Sequence, residues 1–209
     1  MTISKIEDAI EAIRRGEMVV VVDNEDRENE GDLVIAADAA ESKDIAFMMN
    51  HARGLVCMAM EGERLDELDI PLMVARNTES LKTAFTVSVD YIPGTTTGIS
   101  AADRSATVRA LAAGDAKPDD FARPGHIFPL RAHPEGVRAR PGHTEAAVEL
   151  ARLAGRAPSG VICEVANDDG TMSRLPQLEV FAEKHGLLVV TIEDLIEYLN
   201  TTAKVDVAA

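Results

Sequence analysis

Met18-Val19-Val20-Val21-Val22, Asp23-Asn24-Glu25-Asp26-Arg27-Glu28-Asn29-Glu30-Gly31-Asp32 and Leu33-Val34-Ile35-Ala36 follow one another without a break, and their reading decides the fold. The first block is an unbroken run of five aliphatic residues. Its β-branched residues read as a short strand buried on both faces, the pattern of a sheet covered by helices. Leu33–Ala36 reads as a second strand. The short strand pair around residues 23–32 breaks a strict strand–helix alternation, so the sheet is expected to be mixed rather than fully parallel.

Working outward, Ser4-x-x-Glu7 reads as a capping box, with Ile6, Ala9, Ile10 and Ile13 on one helical face and Gly16 as the stop. Ser42 is expected to cap a helix carrying Ile45, Met48, Met49 and Ala52, ended by Gly54. Further helices are expected over 105–113, 144–154, 176–185 and from Ile192 to about Asn200, the first three followed by Gly114, Gly155 and Gly186 and the last capped by Thr191. Strands are expected over 55–60, 84–89 (with Phe85, Val87 and Val89 on one face), 126–130, 160–165 and 187–191. A Pro/Gly-rich stretch from Pro118 to Gly142 is the second break in the alternation. The fold class is α/β with an α+β-like mixed character: a single layered domain whose mixed, twisted sheet is flanked by helices. Residues 1–200 are expected to form it, and 201–209 a flexible C-terminal tail.

Composition narrows the function. Of 209 residues, 21 are Lys or Arg and 36 Asp or Glu, a net charge of −15. Nucleic-acid and anionic-membrane binding are not expected, because both need a positive face. At 46% hydrophobic and 27% charged the chain is ordinary for a globular protein. It lacks the ~20-residue apolar run of a membrane span and the pattern of a signal peptide. Cys57 and Cys163 lie in apolar runs, as reduced thiols of a cytoplasmic protein would. G-x-G-x-x-G, G-x-x-x-x-G-K-[ST], H-E-x-x-H and C-x-x-C are all missing.

The charge is unevenly placed. Asp23–Asp32 holds six carboxylates and one Arg, whereas residues 123–140 hold Arg123, Arg131, Arg138 and Arg140 against one Glu135. A charge run is usually a solvated face. This one joins two apolar strands in a connection so short that carboxylates must crowd, and crowded carboxylates need a cation. A hard ion such as Mg²⁺ takes oxygen ligands and recruits substrate oxygens, while Arg suits phosphate. Arg123-Pro124-Gly125-His126 and Arg140-Pro141-Gly142-His143 repeat one tetrapeptide, and Thr144 is placed at a helix N-terminus that favours an anion. In Gly160-Val161-Ile162-Cys163-Glu164-Val165 a carboxylate interrupts an apolar strand, with Ile162 and Glu164 facing opposite Val161, Cys163 and Val165. A buried Glu164 would have a raised pKa useful to a general base; a strand-end surface Glu is the other reading.

Those blocks, with Thr96-Thr97-Gly98-Ile99-Ser100-Ala101-Ala102-Asp103-Arg104 and Arg140-Pro141-Gly142-His143-Thr144-Glu145-Ala146, resemble the 3,4-dihydroxy-2-butanone-4-phosphate synthase family of riboflavin biosynthesis. The likeness runs from the first helix to about Leu199, in the single-function form without a C-terminal GTP cyclohydrolase II domain. The resemblance implies a lyase that converts D-ribulose 5-phosphate to the dihydroxybutanone phosphate and formate. It implies Mg²⁺ or Mn²⁺, two ions per active site, and a homodimer with sites at its interface. Glu28 and His143 would be metal ligands. Arg27, Glu28, Asp32, Thr97, Arg140, Pro141, Gly142, His143, Thr144 and Glu164 would hold substrate. His126 and Glu164 would be essential to proton transfer, with Asp32 or Glu30 as the first base. A metal-dependent sugar-phosphate isomerase or aldolase, or a non-catalytic anion-binding module, would share parts of this pattern; only the family reaction releases formate.

Overall fold

The computed structural model describes residues 3–206, with side chains through Thr202. Strands β1 (Val19–Val22), β2 (Gly31–Ala36), β3 (Cys57–Met60), β4 (Val89–Tyr91), β5 (Phe121–Arg131), β6 (Ser159–Glu164) and β7 (Leu188–Thr191) form one sheet in the order β4-β5-β3-β6-β2-β1-β7. The β1–β7 and β3–β5 pairs are parallel, and β1–β2, β2–β6, β3–β6 and β4–β5 antiparallel. The sheet is therefore mixed, as the strand pair around the acidic decapeptide demanded.

Helices are α1 (Ile6–Arg14), α2 (Ser42–Phe47), α3 (Gly62–Glu67), α4 (Ala101–Ala112), α5 (His143–Leu153), α6 (Leu175–His185) and α7 (Ile192–Asp206). Strand alternation sorts the valines of β1 into two cores. Val20 and Val22 join Leu33, Ile35, Met58, Val161 and Cys163 beneath α2, α4 and α6. Val19 and Val21 join Val34, Cys57 and Ile162 beneath α1, α5 and α7. The result is three layers, helix on sheet on helix. A fully buried Val is worth roughly 1.5–3 kcal/mol, so a polar residue at Val20 or Val21 would open one layer.

Several boundaries differ from the sequence reading. Lys5, not Ser4, precedes α1, and no side chain caps it. At α2 the Glu41 N–H donates to the Asp44 carboxylate at 2.9 Å, displacing Ser42 from the cap position. A π-helical turn, Met48–Ala52, then ends on Arg53 at φ 68°, one residue before the expected Gly54. Helix α4 starts earlier, where Ser100 Oγ accepts the Asp103 N–H at 3.0 Å, and ends on extended Ala113 before Gly114. Helix α5 is N-capped by Gly142, and Thr144 is its second residue. Thr191 does cap α7, accepting the Asp194 N–H at 3.0 Å, but that helix continues to Asp206 through most of the expected tail; 207–209 lie outside the described residues.

Residues 84–88 form only isolated bridges, Phe85 to Leu130 and Thr86 to Leu72. Thr86 and Ser88 are buried while Phe85 and Val87 are half-buried, against the expected face. The reason is local hydrogen bonding: the Thr86 hydroxyl donates to Pro129 O at 2.8 Å, and Ser88 Oγ accepts the Gly125 N–H at 3.2 Å.

Candidate active site

The site lies where β1 ends, β2 begins and β6 ends. Pairing of β2 with β6 sets Asp32 directly opposite Glu164. The acidic loop between β1 and β2 is wound around Asp23, whose side chain is fully buried. Its carboxylate accepts the Arg27 guanidinium at 2.9 Å and the backbone N–H groups of Glu28 and Glu30 at 3.0 and 2.8 Å. From α6, Arg174 donates to the carbonyls of Glu28 (2.8 Å) and Asn29, pinning the loop from outside. This folding turns Glu28 inward, with Oε2 at 2.8 Å from Arg27 and 3.2 Å from His143 Nδ1.

His143 and Thr144 open α5 and are both buried. Asp32 is 3% exposed, its Oδ1 without a partner, and His143 is 4% exposed, its Nε2 likewise unpartnered. Burial pushes Asp32 up to about 7; His143 opposes the shift, and Glu164, Glu28 and Glu30 reinforce it. For His143 burial works against the charge, but the carboxylates of Asp32, Glu28 and Asp23 outweigh it and push the ring up to about 9. Burial also raises Glu30, aided by the Glu28 charge, whereas Glu28 is held low against its own burial by His143 and Arg27. Two carboxylates of one loop are thus driven in opposite directions, as acid–base division of labour requires.

A cavity of about 220 Å³ brings together Arg27, Glu28, Glu30, Asp32, Arg140, His143, Thr144 and Glu164. Pro141 is exposed beside it, and Gly142 is the buried cap of α5. Glu164 is half-buried, not buried, and its Oε2 accepts the Leu55 N–H at 2.8 Å. Of the carboxylates that line the cavity, the buried one is Asp32. Cys57 lines the cavity as a neutral thiol: burial, then Glu164 and Asp32, push its pKa far up. A larger cavity of about 680 Å³ between α3 and α5 is lined by surface charges that pair with one another, Arg131 with Asp66 and Arg152 with Glu149. It holds none of Asp32, His143, Glu28 and Glu30.

Thr97 and His126 are not brought into the 220 Å³ cavity. Thr97 is exposed in the segment before α4, and His126 is exposed on β5 with Nδ1 at 2.7 Å from Asp90. The arginine island also divides. Arg123 donates to the carbonyls of Pro118, Phe121 and Leu68, Arg138 to Leu199 O and Asn200, and Arg131 pairs with Asp66. Only Arg140 of the four reaches the cavity, held by Glu145 at 2.7 Å and Thr83 at 3.1 Å.

Sequence reasoning missed Asp23, which sat unremarked in the decapeptide, and Glu79 and Thr83, which line the cavity from a segment without periodicity; Phe85, read only as a strand residue, lines it too. Donor atoms of Asp23, Glu28 and His143 lie within 4.8 Å of one another. The donor set and the orphaned His143 Nε2 fit a hard divalent cation with an imidazole ligand.

A profile of the 3,4-dihydroxy-2-butanone 4-phosphate synthase family matches residues 7–198. The chain belongs to that family. A synthase of this name from Agrobacterium fabrum is 79% identical over 200 residues, covering 96% of this chain and 94% of the relative. One from Pseudomonas aeruginosa is 58% identical, covering 95% of this chain and 54% of the relative, so the chain spans about half the length of some relatives. A crystal structure of a family synthase in complex with two magnesium ions superposes with a TM-score of 0.92 at 49% identity, over 96% of this chain and 98% of that one. A two-domain synthase from A. baumannii gives 0.90 at 53% identity, over 93% and 57%. Among the described residues, no helix is long and apolar enough to cross a membrane.

Proposed function

We propose that the protein is a lyase of riboflavin biosynthesis that converts D-ribulose 5-phosphate into L-3,4-dihydroxy-2-butanone 4-phosphate and formate. The observation that carries this reading is the single small cavity in which the buried Asp32 carboxyl, four further carboxylates, a buried imidazole and two arginines converge. The reaction needs no co-reactant: the atoms of the five-carbon phosphate equal those of the four-carbon phosphate plus formic acid. It does need repeated proton transfer. Asp32, whose pKa burial raises toward the range of a general base, is suited to take the C1 proton, with Glu30 as the second candidate. Glu164, which accepts the Leu55 N–H and pairs in register with Asp32, would serve a later transfer. Arg27, Arg140 and the N-terminus of α5 at His143 and Thr144 offer the phosphate charge-assisted donors.

Glu28 and His143, with Asp23 behind them, would hold the metal: a magnesium pair, or manganese. Bound there, such ions supply Lewis-acid stabilisation of negative charge on the sugar oxygens. We further propose a homodimer whose partner subunit contributes Thr97 and His126, since both are exposed on their own subunit and outside its cavity. Free, buried Cys57 and Cys163 support a cytoplasmic setting.

Incubation with D-ribulose 5-phosphate and Mg²⁺ is expected to release formate and the butanone phosphate, and EDTA to stop it. A rearranged or cleaved sugar without formate would replace this reading by an isomerase or aldolase. The dimer is tested by mixing inactive Glu28→Ala and His126→Ala chains. Shared sites give each mixed dimer one intact site, hence about a quarter of full activity after random exchange, by the two-fold symmetry of the pair. Sites confined to one subunit give no recovery.

A further inference from the structure

Outside the cavity, the most elaborate local construction surrounds His126, and its centre is Asp90, a residue in none of the sequence blocks. One Asp90 oxygen accepts the backbone N–H of His126 at 2.8 Å and the other faces ring Nδ1 at 2.7 Å. The Asp90 side chain is 13% exposed and that of His126 43%. The β4–β5 register shifts between Val89, which pairs with Ile127, and Asp90, which pairs with Ala122. Such irregularities re-aim side chains. Gly98, at φ 86°, lies so close to the Asp90 carboxylate that any Cβ would overlap it, and a Cβ on Gly125 would overlap the Val89–Asp90 backbone. Gly98 is itself fixed, its N–H donating to Asp103 at 3.0 Å. Burial pushes the Arg104 guanidinium down, with Cys163 and Asp90 opposing; the residue is about nine-tenths buried and its Nε is unpartnered. The Thr-Gly-Ile-Ser and Arg-Pro-Gly-His segments thus close around one carboxylate.

We infer that Asp90 is a positioning residue for His126, fixing the ring and keeping the proton on Nδ1 so that Nε2 is the atom that exchanges protons. An ionised carboxylate has no hydrogen to give and can only accept from the ring, so Nδ1 carries the hydrogen. Nε2 has no hydrogen-bond partner among the described residues, and the ring is exposed. The ring nitrogen that reacts is set by the hydrogen bond the other one makes. The consequence for catalysis rests on the proposed role of His126 in proton transfer; the clamp itself does not.

The test uses full-length enzyme with ¹⁵N-labelled histidine. Wild-type His126 is expected to show the Nδ1–H tautomer, and Asp90→Asn to shift it toward Nε2–H. The same substitution is expected to lower kcat at least about a hundredfold, with KM changed less than about threefold, as loss of an aligned acid–base group does. In a His126→Ala background it is expected to change the residual kcat less than about twofold, because coupled residues are not additive. An Nε2–H tautomer in the wild type would overturn the inference even if Asp90→Asn failed to fold. Equal losses in both backgrounds would overturn it too. A tautomer shift in a protein that releases no formate would refute the proposed reaction and leave the clamp standing.

Discussion

The two Arg-Pro-Gly-His copies share four letters and almost nothing else. In the first, Arg123 ties down three backbone carbonyls, the Arg123–Pro124 bond is cis, and His126 stands exposed against one carboxylate. In the second, Arg140 bridges the buried Glu145 and Thr83, Gly142 caps a helix, and His143 is buried among Asp23, Glu28 and Asp32. The first copy lies within β5 and the second leads into α5, so the tetrapeptide fixes no common turn and only ends each time on an imidazole. What that imidazole does is set by the strand or helix that follows and by the carboxylates folded onto it.

The sharpest way to break this contrast is to delete each ring. His143→Ala removes a metal ligand in this reading, and several kcal/mol of charge stabilisation should go with it, on the order of 10³-fold or more in kcat. Its Mn²⁺ binding, followed by electron paramagnetic resonance, is expected to vanish. His126→Ala is expected to cost ~10²–10⁴-fold in kcat as an acid–base group while Mn²⁺ binds as before. Loss of Mn²⁺ binding in His126→Ala would erase the distinction between the copies.

The arginines give the next largest difference. Losing a charge-assisted bond to phosphate costs ~1.5–3 kcal/mol, or roughly ten- to a hundredfold. Arg140→Ala is therefore expected to weaken ribulose 5-phosphate binding by that factor and leave unphosphorylated ribulose almost unaffected. It should also lower the Tm, because Glu145, with a side chain 1% exposed, loses its cation. Adding Glu145→Gln should restore the Tm and not the affinity. Arg123→Ala should lower the Tm alone. Equal affinity losses for both sugars, by calorimetry in EDTA, would remove Arg140 from the phosphate.

How far the sequence carried this follows from the same residues. The mixed sheet was legible because β1 is uninterrupted Val and because two strands flank a loop too short for a crossover helix. The acidic loop and the arginine island were legible from concentrated charge, whereas the individual roles of Glu28, Asp32, Arg140 and His143 rested on the family motifs. Asp23 was not legible, since its role is to accept three local donors, a fact of loop geometry with no spacing signature. Asp90 was hidden for a similar reason: the register shift that aims it belongs to the pairing of β4 with β5 and to neither strand alone. Arginines 123, 131 and 138 read as phosphate donors because composition cannot distinguish a guanidinium serving carbonyls from one serving a ligand.

The glycines provide the smallest and most local comparison. At Gly142 the backbone is extended (φ −114°), and a Cβ would meet Arg140 Nη1 at 2.6 Å, Arg27 Nη2 at 2.9 Å and Glu145 Oε2 at 3.0 Å. All three are ends of long side chains that can swing aside, so Gly142→Ala is expected to cost about 1 kcal/mol, including the poorer N-cap. At Gly125 the obstacle is the backbone of Val89 and Asp90, pinned by the β4–β5 pairing and unable to move without shifting the strand. Overpacking of that kind costs ~1–3 kcal/mol, and 1 kcal/mol moves the Tm of a chain this size by roughly 2–4 °C. Gly125→Ala should therefore melt several degrees below Gly142→Ala, and its His126 tautomer should be disturbed as the Asp90 backbone shifts. If Gly142→Ala proved the less stable of the two, the second copy would be the more tightly packed, and the assignment of the first as the rigid, strand-held imidazole would fail.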